Sequence, residues 1–314
     1  MAAEARFPVM GSAGHLVVTG GAPELLARAQ TLLGQLESLW SRFQPDSELC
    51  RLNSLQGRWV RVCAPTLWVV HAAVRAWEVT GGLFDPTVLP ALKTAGYSGS
   101  FETLRDGPLP EAPPVPAPGC ADIEFKADRV YLPPGVQLDL GGIGKGYAAD
   151  LLVNELLTAG AEGASVNLGG DVRMAGSPPS GVAWDSAVAD EADPDTDLAW
   201  LALADGAVAT STRLRRRWQR QGRELHHLID PRTGMPATSE VATVTVVAGD
   251  ASWAEVLAKA ALIAGMSAGT TLLESHGVAG VLVTGDGAAH PVGNWERYVT
   301  WTPESGGTSR ASAD

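Results

Sequence analysis

A run of glycines between residues 141 and 146 most constrains how this chain of 314 residues folds. The apolar stretch 136–140 before it predicts a strand, and the apolar spacing after it predicts a helix that ends at Gly160. Glycines at such a junction let backbone N–H groups approach a ligand, and the helix N-terminus adds partial positive charge. Lys145 adds a full charge, so the junction predicts a site for an anion such as phosphate. A tight turn whose glycines serve packing is the alternative.

The two common phosphate-binding motifs do not fit this junction. Lys145 is followed by Gly146 and Tyr147, whereas a P-loop lysine is followed by Ser or Thr. The glycines at 142, 144 and 146 have the spacing G-x-G-x-G, which is not the spacing of the dinucleotide fingerprint.

Composition excludes several classes of protein. The net charge of −12 argues against a general binder of nucleic acid or anionic membranes. Cys50, Cys63 and Cys120 are too widely spaced for a disulfide framework or a CxxC metal pair. The N-terminus lacks a signal-peptide pattern, and no segment reaches the roughly 18 apolar residues of a membrane span. We therefore expect a cytoplasmic protein without a membrane span.

Helical and strand patterns alternate irregularly along the chain, which favours an α+β fold over a doubly wound sheet. Helices are predicted over 23–40, over 251–264 and over 268–275, and from 65 to the glycines at 81–82. Strands are predicted over 15–19, 164–168, 184–189, 198–203, 241–247 and 278–284. Residues 206–212 are small and predict turns, and Gln221-Gly222 predicts a hairpin.

The proline-rich stretch 107–119 predicts a surface loop, and the strand pattern resumes after it. We therefore expect one domain over residues 1–302, with 303–314 as a disordered tail.

A second dense cluster runs from His226 to Pro236. Its Asp-Pro-x-Thr-Gly segment predicts a structured turn, and the preceding histidine pair offers an imidazole that titrates near neutrality, as a general base requires. A histidine pair in a strand is more often structural. No Cys, His or acid lies at a spacing that makes the pair a zinc site, and there is no G-x-S-x-G motif for a serine nucleophile.

Six arginines between residues 213 and 223 form a local basic run in this acidic chain. A solvated hairpin and a surface for an anionic ligand or acidic partner both account for them.

Seven motifs in one order resemble the FAD:protein FMN transferase (ApbE) family across residues 9–285. They are Met10-Gly11-Ser12; Ser41-Arg42-Phe43 with Ser47-Glu48-Leu49 and Arg51-Leu52-Asn53; 82–87 (GLFDPT); 139–147 (DLGGIGKGY); 167–171 (NLGGD); Ala209-Thr210-Ser211; and 227–234 (HLIDPRTG).

The resemblance implies one α+β domain with mixed sheets and flanking helices, and with FAD in a central cleft. It implies transfer of FMN from FAD to a threonine hydroxyl of a target flavoprotein, with release of AMP. By motif position, His227 matches a histidine that activates the hydroxyl. The implied cofactor-binding residues are Met10 and Phe43 in the pocket, Leu83, Phe84 and Asp85 on the adenine side, Asp139 and Lys145 at polar groups, and Ile229.

The resemblance also implies a Mg²⁺ site formed by a position matching Gly142 and by a late helix with the pattern Ala-Asp-x-x-x-Thr. Here that helix carries Glu255 and Lys259. An ammonium is no metal ligand and repels a divalent cation, whereas residues at i,i+4 on a helix can pair directly. Three outcomes stay open: Lys259 replaces the metal's charge, it swings away from a weakened Mg²⁺ site, or transferase activity is lost. An FAD-binding protein without transferase activity, and an FAD pyrophosphatase giving FMN and AMP, are the alternative functions.

Overall fold

The computed structural model describes residues 2–21, 24–101, 104, 107–108, 113–179, 181–193 and 195–303. The helices are α1 (Glu24–Trp40), α2 (Glu48–Ser54), α3 (Ala64–Val79), α4 (Leu89–Thr94), α5 (Gly144–Thr158), α6 (Ala251–Ala264) and α7 (Met266–Ser275). The strands are β1 (Ala2–Val9), β2 (Ser12–Thr19), β3 (Trp59–Arg61), β4 (Glu124–Lys126), β5 (Arg129–Tyr131), β6 (Gly163–Leu168), β7 (Asp171–Gly176), β8 (Trp184–Ala189), β9 (Asp197–Leu203), β10 (Gly206–Thr212), β11 (Arg217–Arg220), β12 (Arg223–His226), β13 (Ile229–Asp230), β14 (Met235–Pro236), β15 (Val241–Ala248), β16 (Ala279–Thr284), β17 (Ala289–Val292) and β18 (Val299–Trp301).

An eight-stranded sheet organises the fold, in the order β1-β2-β6-β7-β10-β15-β16-β17. Its neighbouring strands pair antiparallel. Successive side chains of a strand point to opposite faces. Ala207 and Ala209 of β10 accordingly pack with the helices, and Val208 packs with β8 and β9 of a three-stranded sheet. The α+β class predicted from the sequence is confirmed.

Helix α6 is buried on nearly every side, between the sheet and helices α5 and α7. Its many alanines let it lie close to its neighbours, and a helix that is apolar all round belongs in a core. Glu255 and Lys259 are the exceptions, because a charge in such a helix is costly unless it is compensated. Both face the region described below as the candidate site.

The predicted strand at 136–140 is wrong. This segment is not paired with another strand, and the side-chain amide of Asn53 takes the place of a neighbouring strand. The Asn53 Nδ2 donates to the Leu138 carbonyl (2.8 Å), and the Leu138 N–H donates to Asn53 Oδ1 (2.7 Å). The Asp139 N–H then donates to the carbonyl of Pro86. A side chain thus fixes the backbone that enters the glycine junction.

The prediction of turns over residues 206–212 is also wrong, because this segment is strand β10 in the middle of the sheet. Its small side chains are buried under α6, where larger ones would hold the helix away. The hairpin about Gln221-Gly222 is confirmed as β11 and β12.

The described part of the proline-rich loop, residues 107–108 and 113–119, contains no helix or strand and is largely exposed from 113 to 118. Residues 109–112 of that loop and 304–314 of the predicted tail lie outside the described residues. Within the part of the chain that is described, no helix has the length and apolar character needed to cross a bilayer.

Candidate functional site

Two adjoining cavities meet beside the glycine run and the third turn of α6. The larger is a cleft of about 1040 Å³, counting the space open to solvent, and the smaller holds about 350 Å³. Asp139, His227 and Lys259 line both cavities. A concave site with a few convergent polar groups is where a small molecule binds a protein. Residues predicted from widely separated motifs therefore meet in one place.

Asp139 is held within the protein before any ligand arrives. The Arg42 Nε donates to Asp139 Oδ2 (2.9 Å), and the Gly141 N–H donates to Asp139 Oδ1 (2.6 Å). Both side chains of the pair are about nine-tenths buried. The Arg42 guanidinium lies 4.2 Å from the ring centroid of Phe43 and 4.4 Å from that of Tyr97. Its Nη2 is buried without a hydrogen-bond partner among the described residues, so one donor is left for a ligand.

The ammonium of Lys145 is neutralised from within. It forms ion pairs with Asp171, at the start of β7, and with Glu255 Oε1 of α6 (3.1 Å). Burial alone lowers the pKa of Lys145, but the two carboxylates outweigh burial and raise it. Two acids share one ammonium here, and burial raises the pKa of Asp171 above its ordinary value. Lys145 lines the cleft, but its charge is already matched.

Lys259 is placed differently. A Cβ added to Gly142 would lie 2.1 Å from its Nζ, so the ammonium occupies the space left by the missing side chain of that glycine. Its Nζ lies 5.9 Å from the centroid of the Phe84 ring. Among the described residues it has no hydrogen-bond or ion-pair partner. Burial lowers the pKa of Lys259, against the opposing effect of Asp139.

The expected direct pair between Glu255 and Lys259 does not form. The Glu255 carboxylate points to α5 instead, where Oε1 accepts from Lys145 and Oε2 accepts from the Gly146 N–H (2.9 Å). A backbone N–H at the start of a helix is a favourable partner for a carboxylate, which explains the preference. One of the donors predicted to serve an external anion is therefore used by the protein itself.

Packing explains another part of the glycine run. A Cβ on Gly146 would lie 2.4 Å from the Ala251 carbonyl oxygen, so only glycine allows α5 to cross α6 this closely. Four residues on, the Asp150 carboxylate accepts hydrogen bonds from the N–H groups of Ala251 (2.7 Å) and Ser252 (2.9 Å). The junction thus combines a wall of the cleft with a helix-packing site.

His227 lies at the point shared by the two cavities. Burial lowers its pKa well below the ordinary 6.5, and the nearby Lys259 and Arg216 lower it further. Its Nδ1 is buried and has no hydrogen-bond partner among the described residues. The imidazole is therefore neutral at pH 7, which is the state in which a histidine can accept a proton.

The remaining predicted cofactor residues divide between the cavities. Met10 and Phe43 line the larger cleft, and Phe43 has 42% of its surface exposed. Leu83, Phe84, Asp85 and Ile229 line the smaller cavity. Asp85 is buried, and its Oδ1 accepts from the N–H and the hydroxyl of Thr87. The Asp85 carboxylate therefore stabilises the loop in which it lies.

The arginine run divides as well. Arg215 pairs with Glu191, Arg217 pairs with Glu224, and Arg220 donates to the Gly96 carbonyl. Of these three contacts, the Arg217–Glu224 pair joins the two strands of the hairpin, whereas Arg215 and Arg220 contact other segments. Arg216 lines the larger cleft, has a positive φ of 47° and donates to the Gly11 carbonyl (3.3 Å).

The residues present do not fit a divalent metal at the position that the family resemblance indicates. Gly142 offers only backbone, both Glu255 oxygens already accept hydrogen bonds, and Lys259 has no acceptor. Lys145, Asp171 and Glu255 together carry one negative charge when all are ionised, and Lys259 cancels it. A proton on Asp171 makes the cluster positive. The described residues contain no group of three or more His, Cys, Asp or Glu side chains able to hold a metal ion.

No site role was predicted for three residues that line the larger cleft: Trp40, Arg42 and Tyr97. Ser41-Arg42-Phe43 alone is indistinguishable from an ordinary helix exit. A signal was present for Arg42, because it lies within one of the seven ordered motifs. Nothing in the sequence marks Tyr97, since its contact with Arg42 depends on the tertiary fold.

Comparison with known proteins places these motifs in context. The family model described as "ApbE family" matches residues 10–282. Among curated proteins, FAD:protein FMN transferase from Vibrio cholerae is 29% identical over 275 residues, covering 82% of this chain and 78% of that protein. The protein of the same name from Treponema pallidum is 31% identical over 266 residues, covering 77% and 72%.

Solved structures agree with this match. The ApbE protein from Thermotoga maritima superposes with a TM-score of 0.84 at 29% identity, covering 95% of this chain and 99% of that one. The flavinyl transferase ApbE from Pseudomonas stutzeri, in its apo form, has a TM-score of 0.80 at 26% identity, covering 93% and 95%.

Proposed function

The chain belongs to the ApbE family, and on that basis we propose that it is an FAD:protein FMN transferase that uses FAD as its substrate. The acceptor is a flavoprotein, and the accepting group is a threonine hydroxyl. The curated relatives carry the same activity in their names and match most of their length to this chain.

At the phosphorus, the reaction forms one P–O bond and breaks one, and a proton moves from the threonine hydroxyl. The threonine oxygen attacks the FMN phosphorus of FAD and forms a phosphoester. The bridging P–O bond to the AMP half breaks, and its electron pair leaves with AMP. His227 takes the hydroxyl proton, because its imidazole is neutral and lies in the cleft.

The observation that carries the proposal is the meeting of His227 with cationic groups in one cleft. Phosphoryl transfer depends mainly on positioning and on neutralising charge at the phosphate oxygens. The Arg42 Nη2 and the Lys259 ammonium have no hydrogen-bond or ion-pair partner in the described part of the chain. They supply the donors that a diphosphate requires.

The other predicted cofactor contacts complete the proposal. Met10 and Phe43 would line the pocket of the larger cleft, with Phe43 against a ring. Leu83, Phe84 and Ile229 would enclose the adenine side. Asp139 is already paired with Arg42, and Lys145 is already paired with Glu255. Asp139 and Lys145 would therefore act mainly by holding those two partners in position.

The test incubates the purified protein with FAD and an acceptor flavoprotein domain that carries the target threonine. Flavin fluorescence on the denatured acceptor and release of AMP are measured together. We expect both from the wild type, and neither from His227→Gln or from an acceptor whose threonine is replaced by valine.

The outcomes separate the alternative functions. Release of FMN and AMP without labelled acceptor indicates an FAD pyrophosphatase. Bound FAD with neither product indicates a flavin-binding protein, and either result rejects the transferase.

A further inference from the structure

We propose that the Lys259 ammonium takes the place of a divalent metal ion in this chain, so that FAD binding and FMN transfer proceed without one. The proposal rests on the function proposed above. It concerns the charge that neutralises the diphosphate, which the resemblance assigns to Mg²⁺.

The position of Lys259 is the first argument. Its Nζ fills the space beside Gly142, where any larger residue than glycine would collide with it. It lines both cavities, as do Asp139 and His227. The ammonium therefore lies where the resemblance places the metal, and the backbone leaves room for it.

The second argument is that its hydrogen-bonding capacity is unused. An ammonium has three donors, and within the described residues none of those of Lys259 has a hydrogen-bond or ion-pair partner. Lys259 lies at the surface of both cavities, so these donors can reach the space that a ligand would fill. The Phe84 ring at 5.9 Å offers only a weak cation–π contact. An anionic ligand in the cleft supplies what the protein does not.

The third argument is the charge of the surroundings. Glu255, which is the remaining acidic position of the implied metal site, is committed to Lys145 and to the Gly146 N–H. A divalent cation placed beside it would lie near two ammonium groups with no net negative charge to attract it. This balance does not attract a cation, and Lys259 is the ammonium left to meet an anion.

The step then balances without a metal. The threonine oxygen bonds to the FMN phosphorus, the bridging bond breaks, and AMP leaves with the electron pair. The hydroxyl proton goes to His227. The Lys259 ammonium offsets the negative charge that grows on the phosphate oxygens as the bond breaks.

The experiment uses the full chain after removal of metals, assayed in EDTA and in Mg²⁺. FAD affinity is measured by fluorescence titration, transfer by acceptor labelling, and ADP serves as a second probe of diphosphate binding. We expect the wild type to bind FAD and ADP equally well in both conditions, and to transfer FMN in EDTA. Loss of FAD binding or FMN transfer in EDTA, with recovery in Mg²⁺, overturns the proposal. This comparison uses the wild-type chain alone.

Two variants sharpen the result. Lys259→Met keeps the length of the side chain and removes the charge, so we expect a loss of about 100-fold in transfer that Mg²⁺ does not restore. Lys126→Met, an exposed lysine of β4 outside both cavities, is the matched control and should behave as the wild type. An unaffected Lys259→Met overturns the proposal.

The double variant Glu255→Asp with Lys259→Thr recreates the acid and hydroxyl pattern of the family. We expect it to be inactive in EDTA and to gain activity from Mg²⁺, which the wild type does not do. Activity of this variant in EDTA, equal to that of the wild type, contradicts a role for the Lys259 charge.

The same measurements distinguish replacement of the metal by Lys259 from the proposed transferase activity on which it rests. Binding of FAD that depends on Lys259 and not on metal, with no labelled acceptor, supports the charge replacement and rejects the transferase. Transfer that requires Mg²⁺ supports the transferase and rejects the replacement. A chain that binds neither FAD nor ADP overturns both.

Discussion

Lys145 and Lys259 reach the same cleft from α5 and α6, and their surroundings differ. Lys145 shares its charge between Asp171 and Glu255, whereas Lys259 has no ion-pair partner in the described part of the chain. The first ammonium holds two helices and a strand together. The second is available to a ligand. A lysine in a binding cleft thus says little about ligand charge until its carboxylate partners are known.

The largest expected effect is on stability, at Lys145. In Lys145→Met, Asp171 and Glu255 lose their common partner, and a buried charge left unpaired costs about 3–5 kcal/mol of unfolding free energy. Lys259→Met should lose no stability, since it removes a charge without an ion-pair partner. Urea denaturation of both variants decides this. Equal destabilisation by the two substitutions would contradict the difference between the lysines. As a control, addition of Asp171→Asn to Lys145→Met should recover part of the lost unfolding free energy, because one unpaired charge is removed.

Next in size is the glycine at the crossing of α5 and α6. Gly146→Ala brings a Cβ within 2.4 Å of the Ala251 carbonyl, and overpacking of this kind costs about 1–3 kcal/mol. Thermal unfolding measures the loss. The control is Gly34→Ala, on an exposed face of α1 with no atom within 4 Å, which should stabilise by about 0.5–1 kcal/mol. A neutral Gly146→Ala would mean that the helices are free to separate.

The pH dependence of stability tests the charge on Lys259 through its neighbour His227. The folded-state pKa of His227 is lowered, so between that value and 6.5 only the unfolded chain binds the proton. Stability is therefore lost as pH falls below 6.5, by up to about 1.4 kcal/mol per pH unit. His227→Gln should remove the contribution of His227 to this slope in urea denaturation series, and the lowered pKa values of His71 and His226 should preserve the remainder. Lys259→Met should narrow the pH range over which stability falls, because one cation that lowers the pKa of His227 is gone. An unchanged pH range would show that Lys259 carries no charge there.

The smallest effect on stability is expected at Gly142. In Gly142→Ala the new Cβ meets only the mobile end of Lys259, which moves aside, so unfolding free energy should change by less than about 0.5 kcal/mol. FAD affinity should fall nevertheless, because the ammonium leaves its position between the cavities. Titration with FAD measures this. Unchanged affinity for FAD would show that FAD binding does not depend on the position of the Lys259 ammonium beside Gly142.

The sequence predicts much of the framework because apolar periodicity is a local property. Helix α1 follows from Leu25, Leu33, Leu36 and Trp40, and the structure buries these four. The segment 136–140 shows the limit: its pattern is that of a strand, but its partner is the Asn53 side chain rather than a backbone. No local pattern reveals such a partner.

The candidate site shows the same limit more strongly. The sequence indicates that Lys145 and the glycines meet an anion, and the structure places two carboxylates there, from 26 and 110 residues away. Charge neutralisation depends on these long-range contacts, so a cation read from a motif overstates what it offers to a ligand. The family resemblance indicated His227 and Lys259 as residues of one site, and both line the two cavities, because a family match carries tertiary information that composition and periodicity lack.

The carboxylate of Asp150, four residues after the last glycine of the run, accepts hydrogen bonds from the first two N–H groups of α6. Helices joined in this way open as one cooperative unit. Amide protons near the start of α5 and α6 should therefore exchange with solvent together, at one rate and with one denaturant dependence. Such coupled exchange would mean that the helices carrying Lys145 and Lys259 move together at the cleft.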